Sequence, residues 1–278
     1  MPYKTIVVHA DLGVSAANRM RLASRLARTF DAHLVGSAAT GLSRFIPPDT
    51  IAAGGSALAL HCAALRRRAA QALEDFERLA REEGVASSEA RLVDDDLYGG
   101  MAIQARYCDL FVVGQTDRQQ AAQEALGDLP EYLLLTSGRP VLVVPSTGCA
   151  PQPGGDALVA WDRSVEAARA VAGALPLLRL GGVTTVLGFG DDDARCGPHE
   201  DPSTRLADYL GRHGVVTRIA HRTPNGDIGE ALLSAAADAG ASLLVMGGYG
   251  HARYRELVLG GVTATILRSM TLPVLFAH

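Results

Sequence analysis

The stretch "ASLLVMGGYGHARYRELVLGGVTATILRSMTLPVLFA", residues 241–277, holds four signals in a fixed order. "SLLVMG" reads as a buried strand, and glycines crowd the segment after it. "VTATILRSM" then reads as a helix and "PVLFA" as a second strand. The same order occurs at 108–144, "CDLFVVGQTDRQQAAQEALGDLPEYLLLTSGRPVLVV". Gly114, Gly127 and Pro140 map onto Gly247, Gly260 and Pro273 at one offset of 133 (247 − 114, 260 − 127, 273 − 140). Three landmarks at one offset make the chain an internal duplication.

The beginnings of the halves match as well. "VVHAD" at 7–11 parallels "LVAWD" at 158–162, which sets Asp11 opposite Asp162 at an offset of 151. The first half therefore has about 18 extra residues (151 − 133), assigned to the Pro- and Gly-bearing stretch 41–60. The run "PSTGCAPQPGGD" at 145–156 reads as a linker. The boundaries expected are a first domain at 1–146, a linker at 147–156 and a second domain at 157–278.

Both halves alternate short apolar runs with helical patterns. In the second half the runs are "ALVAW", "VTTVLGF", "VVTRIAH", "SLLVMG" and "PVLFA". Near-continuous apolar strands are expected where helices cover both faces of a parallel sheet. The fold class is α/β, two doubly wound five-stranded parallel-sheet domains in one chain. The first half adds a charged helix, roughly "ALRRRAAQALEDFERLAREEG" at 64–84.

Composition narrows the partners. The chain has 278 residues, 48% of them hydrophobic, enough for two cores. A formal charge of −4 gives no electrostatic footprint for nucleic acid. No apolar run approaches ~18 residues, so no membrane span is expected. "MPYKTIVVHAD" reads as a first strand rather than a signal peptide. Four cysteines without a CxxC pattern suit reduced thiols in a cytoplasmic protein.

The glycine segment follows a strand and precedes a helix. Backbone N–H groups at a helix start, with the helix dipole behind them, favour an anion, and glycine removes the Cβ that would hold a phosphate away. Walker A is absent, and in GxGxxG the third glycine would fall on Arg253. What remains is Gly247-x2-Gly250-x9-Gly260. This spacing, together with Asp162, the strand–helix order and the closing "PVLVV" and "PVLFA", resembles the universal stress protein family, whose ATP-binding members have G-x2-G-x9-G followed by Ser or Thr. The resemblance runs over both halves. It implies a tandem, stress-responsive regulatory protein whose second domain binds ATP or another adenine nucleotide, with Mg²⁺ as a companion, and no metabolic catalysis beyond slow hydrolysis.

The resemblance also implies a site. Asp162, flanked by Ala160 and Trp161, would meet the nucleoside; Phe189 and Met246 would meet the base. Gly247, Gly250, Gly260, Gly261 and Val262 would present backbone to ribose and phosphates. His251, Arg253 and Arg255 would add positive charge. Gly261 stands where the family has Ser or Thr, a loss of roughly 1 kcal/mol or fivefold in affinity, and Thr263 is the candidate substitute. In the first half Asp117 and Asp128 replace a glycine and the hydroxyl position, and Pro130 removes a donor, so ATP is not expected there. The family also pairs its domains through the last strand. "RPVLVVPS" and "LPVLFAH" are expected to pair antiparallel within the chain, and a homodimer is a further expectation.

Other features carry bland readings. Cys196 and His199 make half a metal pattern, with His213 and His221 too remote to complete it. The "DDD" runs at 94–96 and 191–193 lack calcium-loop spacing. His9 reads as a core histidine and Ser164 as a helix N-cap. No catalytic residue is assigned, since GxSxG and Ser/His/Asp or Cys/His sets are missing. Two alternatives stay open, a nucleotide-free scaffold or other ligand-binding module, and an adenine-nucleotide α-hydrolase enzyme. The enzyme would need a loop such as SGGxDS, where the chain has "DLGVSAAN" and "DRSVEAAR".

Overall fold

The computed structural model describes residues 2–45, 55–116, 128–147, 154–189, 201–223, 226–249 and 261–278. The chain divides into two compact units, Pro2–Arg139 and Pro140–His278.

The first unit runs β1 (Thr5–His9), α1 (Ala16–Phe30), β2 (His33–Ala39), α2 (Gly55–Glu82), β3 (Ser88–Val93), α3 (Leu97–Ala105), β4 (Leu110–Gly114) and α4 (Leu129–Thr136). Its strand order is β3-β2-β1-β4, and each pair is parallel. The central strands are apolar because helices cover them: Ile6, Leu34, Leu110 and Phe111 are fully buried. A Cβ at Gly36 would collide with the Phe76 ring, so this glycine lets α2 lie close on β2.

Helix α2 starts nine residues earlier than the charge pattern suggests. "GSALALHC" at 55–62 joins it, because Ala and Leu are strong helix formers once the Gly-Gly pair is passed. Most of the first half's extra length is thus helix. The "DDD" run at 94–96 is a capping loop. Asp96 accepts from the Gly99 N–H at 2.8 Å to start α3, Asp95 pairs with Arg44 at 3.3 Å, and Asp94 with Arg66 at 3.2 Å.

The second unit runs β5 (Val141–Val144), β6 (Ala157–Trp161), α5 (Val165–Leu178), β7 (Thr184–Phe189), α6 (Pro202–Arg212), β8 (Thr217–Arg222), α7 (Ile228–Asp238), β9 (Leu243–Gly247), α8 (Val262–Ser269) and β10 (Val274–Ala277). The order is β5-β10-β9-β6-β7-β8. All pairs are parallel except β5 with β10, which is antiparallel, Val274 opposite Val143 and Phe276 opposite Val141. The expected pairing of the two "PVL" strands is therefore present. It covers the edge that β10 would otherwise leave open. The shared order β3-β2-β1-β4 and β8-β7-β6-β9 is the duplication seen in three dimensions. In each unit the order reverses beside the first strand, where such sheets open a crevice at the carboxyl ends.

Candidate functional site

In the second unit that crevice lies at the ends of β6 and β9. Asp162 follows β6 and is exposed. One of its oxygens accepts from the Ser164 N–H at 2.9 Å and from the Ser164 hydroxyl at 2.6 Å. Ser164 Oγ in turn accepts from the Ala167 N–H at 3.0 Å, so it caps α5 as expected. Between them Arg163 has φ = 66°, a left-handed turn that carries the chain from strand to helix. Ala160 and Trp161 are half-buried at the end of β6, and Trp161 pairs with Gly188 of β7, one residue before Phe189. Met246 is 6% exposed and sits opposite Phe276.

Gly247 ends β9 against the start of α5. A Cβ there would lie 2.6 Å from the Ala167 nitrogen and 2.8 Å from the Glu166 carbonyl carbon. Packing alone therefore demands glycine at 247. Beyond it the Gly248 N–H donates to the Ala277 carbonyl at 2.9 Å, and the His278 ring donates from Nδ1 to the Gly248 carbonyl at 3.0 Å. Tyr249 turns at φ = 57°, and its N–H donates to Thr263 Oγ1 at 3.3 Å. Thr263 is buried, and its hydroxyl oxygen ties the glycine segment to α8, which leaves the hydroxyl proton for a second partner. Helix α8 begins after Gly261, whose position has no side-chain cap, and a Cβ there would meet nothing within 4 Å among the described residues. Val262 is half-buried in the first turn. Gly250, His251, Arg253, Arg255 and Gly260 lie outside the described residues, as do Asp117, Gly127, Cys149, Cys196, His199 and the run 191–193.

The first unit fills the equivalent places with its own side chains. Asp11 accepts from the Gly13 N–H at 2.8 Å and pairs with the Arg19 guanidinium at 2.9 Å and with His9 Nδ1 at 3.3 Å. Arg19 is 2% exposed, and its Nε donates to the His9 carbonyl at 2.9 Å. A Cβ on Gly114 would strike this guanidinium. At the other end Asp128 caps α4, accepting from the Glu131 N–H at 3.2 Å and from the Thr116 hydroxyl at 3.1 Å.

Two titrations follow from this packing. Burial lowers His9 to about 4, with Asp11 pulling upward and Arg19 downward. Burial alone would raise Asp11, but Arg19, His9 and the Gly13 N–H outweigh it and hold the carboxyl well below the usual carboxylate range. His9 is thus a neutral core histidine, as expected.

The sequence reading passed over Arg19 and His278. Arg19 carries one signal, a cation on the otherwise apolar face formed by Met20, Ala23 and Leu26–Ala27 of α1. His278 carries none. Cys108 is buried with its thiol pushed up to about 12, chiefly by burial, and Cys62 is buried too; both are free. The His213 ring lies tilted against Tyr209, His221 lies 3.5 Å from Asp201, and no metal-holding cluster occurs among the described residues. No helix among them is long and apolar enough to cross a membrane.

Residues 156–278 match the universal stress protein family, so this part of the chain is a universal stress protein domain. The fold of the whole chain is that of solved universal stress proteins. A universal stress protein from Archaeoglobus fulgidus DSM 4304 is 15% identical over 98% of this chain and 94% of its own, with a TM-score of 0.73. A putative universal stress protein from Pseudomonas aeruginosa UCBPP-PA14 is 18% identical over 98% and 92%, with a TM-score of 0.62. A universal stress protein in complex with cAMP is 23% identical over 53% of this chain and 100% of its own, with a TM-score of 0.38. Comparison with curated protein sequences gives no match.

Proposed function

We propose that the second unit binds an adenine nucleotide, ATP first, in the crevice between Asp162 and the start of α8. The chain then serves as a cytoplasmic, stress-responsive regulatory protein rather than a metabolic enzyme. The observation that carries this reading is the open start of α8. Gly261 provides no side-chain cap and no Cβ, and the space beside it is open among the described residues. Free N–H groups there suit a phosphate, and Thr263 retains a hydroxyl proton to donate. Asp162 lies at the other end of the crevice as an acceptor for ribose or adenine donors. Met246 supplies a soft apolar surface beside it.

Bound ATP would bring its own charge and the Mg²⁺ that accompanies it. The protein's part is orientation: the α8 amides for phosphates, Asp162 for the nucleoside, and the Thr263–Tyr249 bond to hold the segment between them. The first unit, filled by Arg19 and Asp128, is structural in this reading.

The test is direct. Nucleotides released on denaturing the purified protein are identified, and ATP and cAMP are titrated by calorimetry with and without Mg²⁺. ATP binding at one site per chain, lost in Gly250→Val, is expected. No released nucleotide and no heat would overturn the reading and leave a nucleotide-free scaffold. Light scattering on the same samples tests the expected homodimer.

A further inference from the structure

A cavity of about 630 Å³ opens in the second unit between α5 and α6. Its walls include Val171 of α5, Leu206 and Tyr209 of α6, and Trp161 at the end of β6, with Arg163 and Arg205 also lining it. The volume is that of a small-molecule site. The two units differ here for a reason in the sequence. In the first, α2 has 28 residues, and the Arg25–Glu83 pair at 3.1 Å holds α1 to its end. In the second, α6 has 11 residues.

The lining has a chemical bias. Among the described residues it holds two guanidinium groups and no carboxylate. Tyr209 adds an aromatic wall and a phenol. The Trp161 indole N–H is buried and, among the described residues, has no hydrogen-bond partner. Flat apolar walls and cationic flanks together describe one class of ligand.

We propose that this cavity is a second ligand site, taking a small organic anion with a flat aromatic body, such as an aryl carboxylate. The site is separate from the nucleotide crevice: of the described residues assigned to that crevice, only Trp161 lines the cavity. Arg205 faces the carboxylate, and Val171, Leu206 and the Trp161 ring hold the aromatic body.

Trp161 is the chain's one tryptophan, so ¹⁵N-labelled protein gives one indole cross-peak. Titration of the full chain with 1-naphthoate is expected to move that cross-peak saturably. The uncharged naphthalene-1-methanol is expected to bind about tenfold more weakly, for want of the charged partner. Arg205→Ala, a change on the exposed face of α6, is expected to weaken naphthoate by about the same factor and to leave the fold intact. Saturating ATP is expected to leave the naphthoate affinity unchanged. A cross-peak that does not move, an alcohol that binds as well as the acid, or full affinity in Arg205→Ala would each overturn the proposal. Competition by ATP would overturn it too, by making the cavity part of the nucleotide crevice. Absence of ATP binding alone leaves this site standing.

Discussion

The two units meet the same pair of problems at the ends of their first and fourth strands and solve them oppositely. In the first, Asp11 has Arg19 as its cation, and the N-terminus of α4 has Asp128 as its anion. In the second, Ala170 stands where Arg19 would be, Asp162 is exposed, and α8 begins at an uncapped glycine. A helix start attracts an anion whatever its source. The first unit supplies that anion covalently, and in the proposed reading the second leaves the place for a ligand. The difference teaches that side chains of the chain itself can stand where the second unit leaves open space: Arg19 pairs with Asp11, and Asp128 accepts from the Glu131 N–H and the Thr116 hydroxyl.

The sharpest way to break this comparison is to give the second unit the first unit's solution. Gly261→Asp places a carboxylate at the N-cap of α8. An Asp in place of a glycine N-cap stabilises a helix by a few tenths of a kcal/mol, so the melting temperature is expected to rise slightly. ATP affinity is expected to fall by about 100-fold or more, since like charges brought together cost several kcal/mol. Calorimetry and thermal unfolding on one sample separate the two effects. Unchanged affinity would mean that α8 is not where the phosphates lie.

The converse change empties the first unit. Arg19→Leu removes a buried guanidinium and leaves Asp11 without its cation. Breaking a buried pair costs roughly 3–5 kcal/mol, but the Asp11 side chain is 36% exposed and water takes part of the loss. We expect about 2–3 kcal/mol, read as a lower urea midpoint of the full chain, with partial recovery in Asp11→Leu/Arg19→Leu. A single variant as stable as the parent would show that the pair holds nothing together.

Much of this contrast was legible in the sequence, and its limits are physical. The strands could be read because a sheet covered on both faces leaves near-continuous apolar runs, as in "SLLVMG" and "PVLFA". The fixed offset then placed Asp162 and Gly247 at neighbouring strand ends, and β6 and β9 do pair, Val159 opposite Val245. The start of α2 was missed because "GGSALAL" joins a loop signal to helix formers without a break. Arg19 was missed because an arginine on a helix is ordinarily solvated, and its one local signal, a place on the apolar face of α1, was not weighed. Asp128 was legible in another way. "DLPE" at 128–131 has the spacing of a capping box, with proline in the first turn where its missing N–H costs nothing. Read as a helix start, it gives the self-capped α4 directly; read against a phosphate, it gives only repulsion.

Acid is expected to act on the first unit through the same cluster. His9 titrates at about 4 when folded and near 6.5 when unfolded, so between these values the unfolded chain binds more protons. Stability contributed by neutral His9 is therefore whole above pH ~6.5 and is lost as pH falls toward about 4. Two and a half units at 1.36 kcal/mol each set a ceiling of about 3 kcal/mol, and solvent access at Asp11 brings the expected loss nearer 2. Asp11, depressed when folded, adds its own loss below pH ~4 in the same direction. Urea midpoints of His9→Ala and the parent across pH 4–7 check this: the variant is expected to show the flatter profile, and parallel profiles would remove His9 from the account.

The smallest effect tests whether the two ends of the first-unit site are independent. Asp128→Gly removes the α4 cap and the partner of the Thr116 hydroxyl. Replacing an N-cap by glycine costs a few tenths of a kcal/mol, so the fold is expected to survive almost unchanged. The variant recreates at position 128 the glycine that position 261 has in the second unit. If the carboxylate alone kept nucleotide out, calorimetry would now find a second ATP per chain. We expect none, because Arg19 still fills the approach to Gly114 and still holds Asp11. A second ATP appearing only in Asp128→Gly/Arg19→Ala would show that cation and anion block the two ends separately.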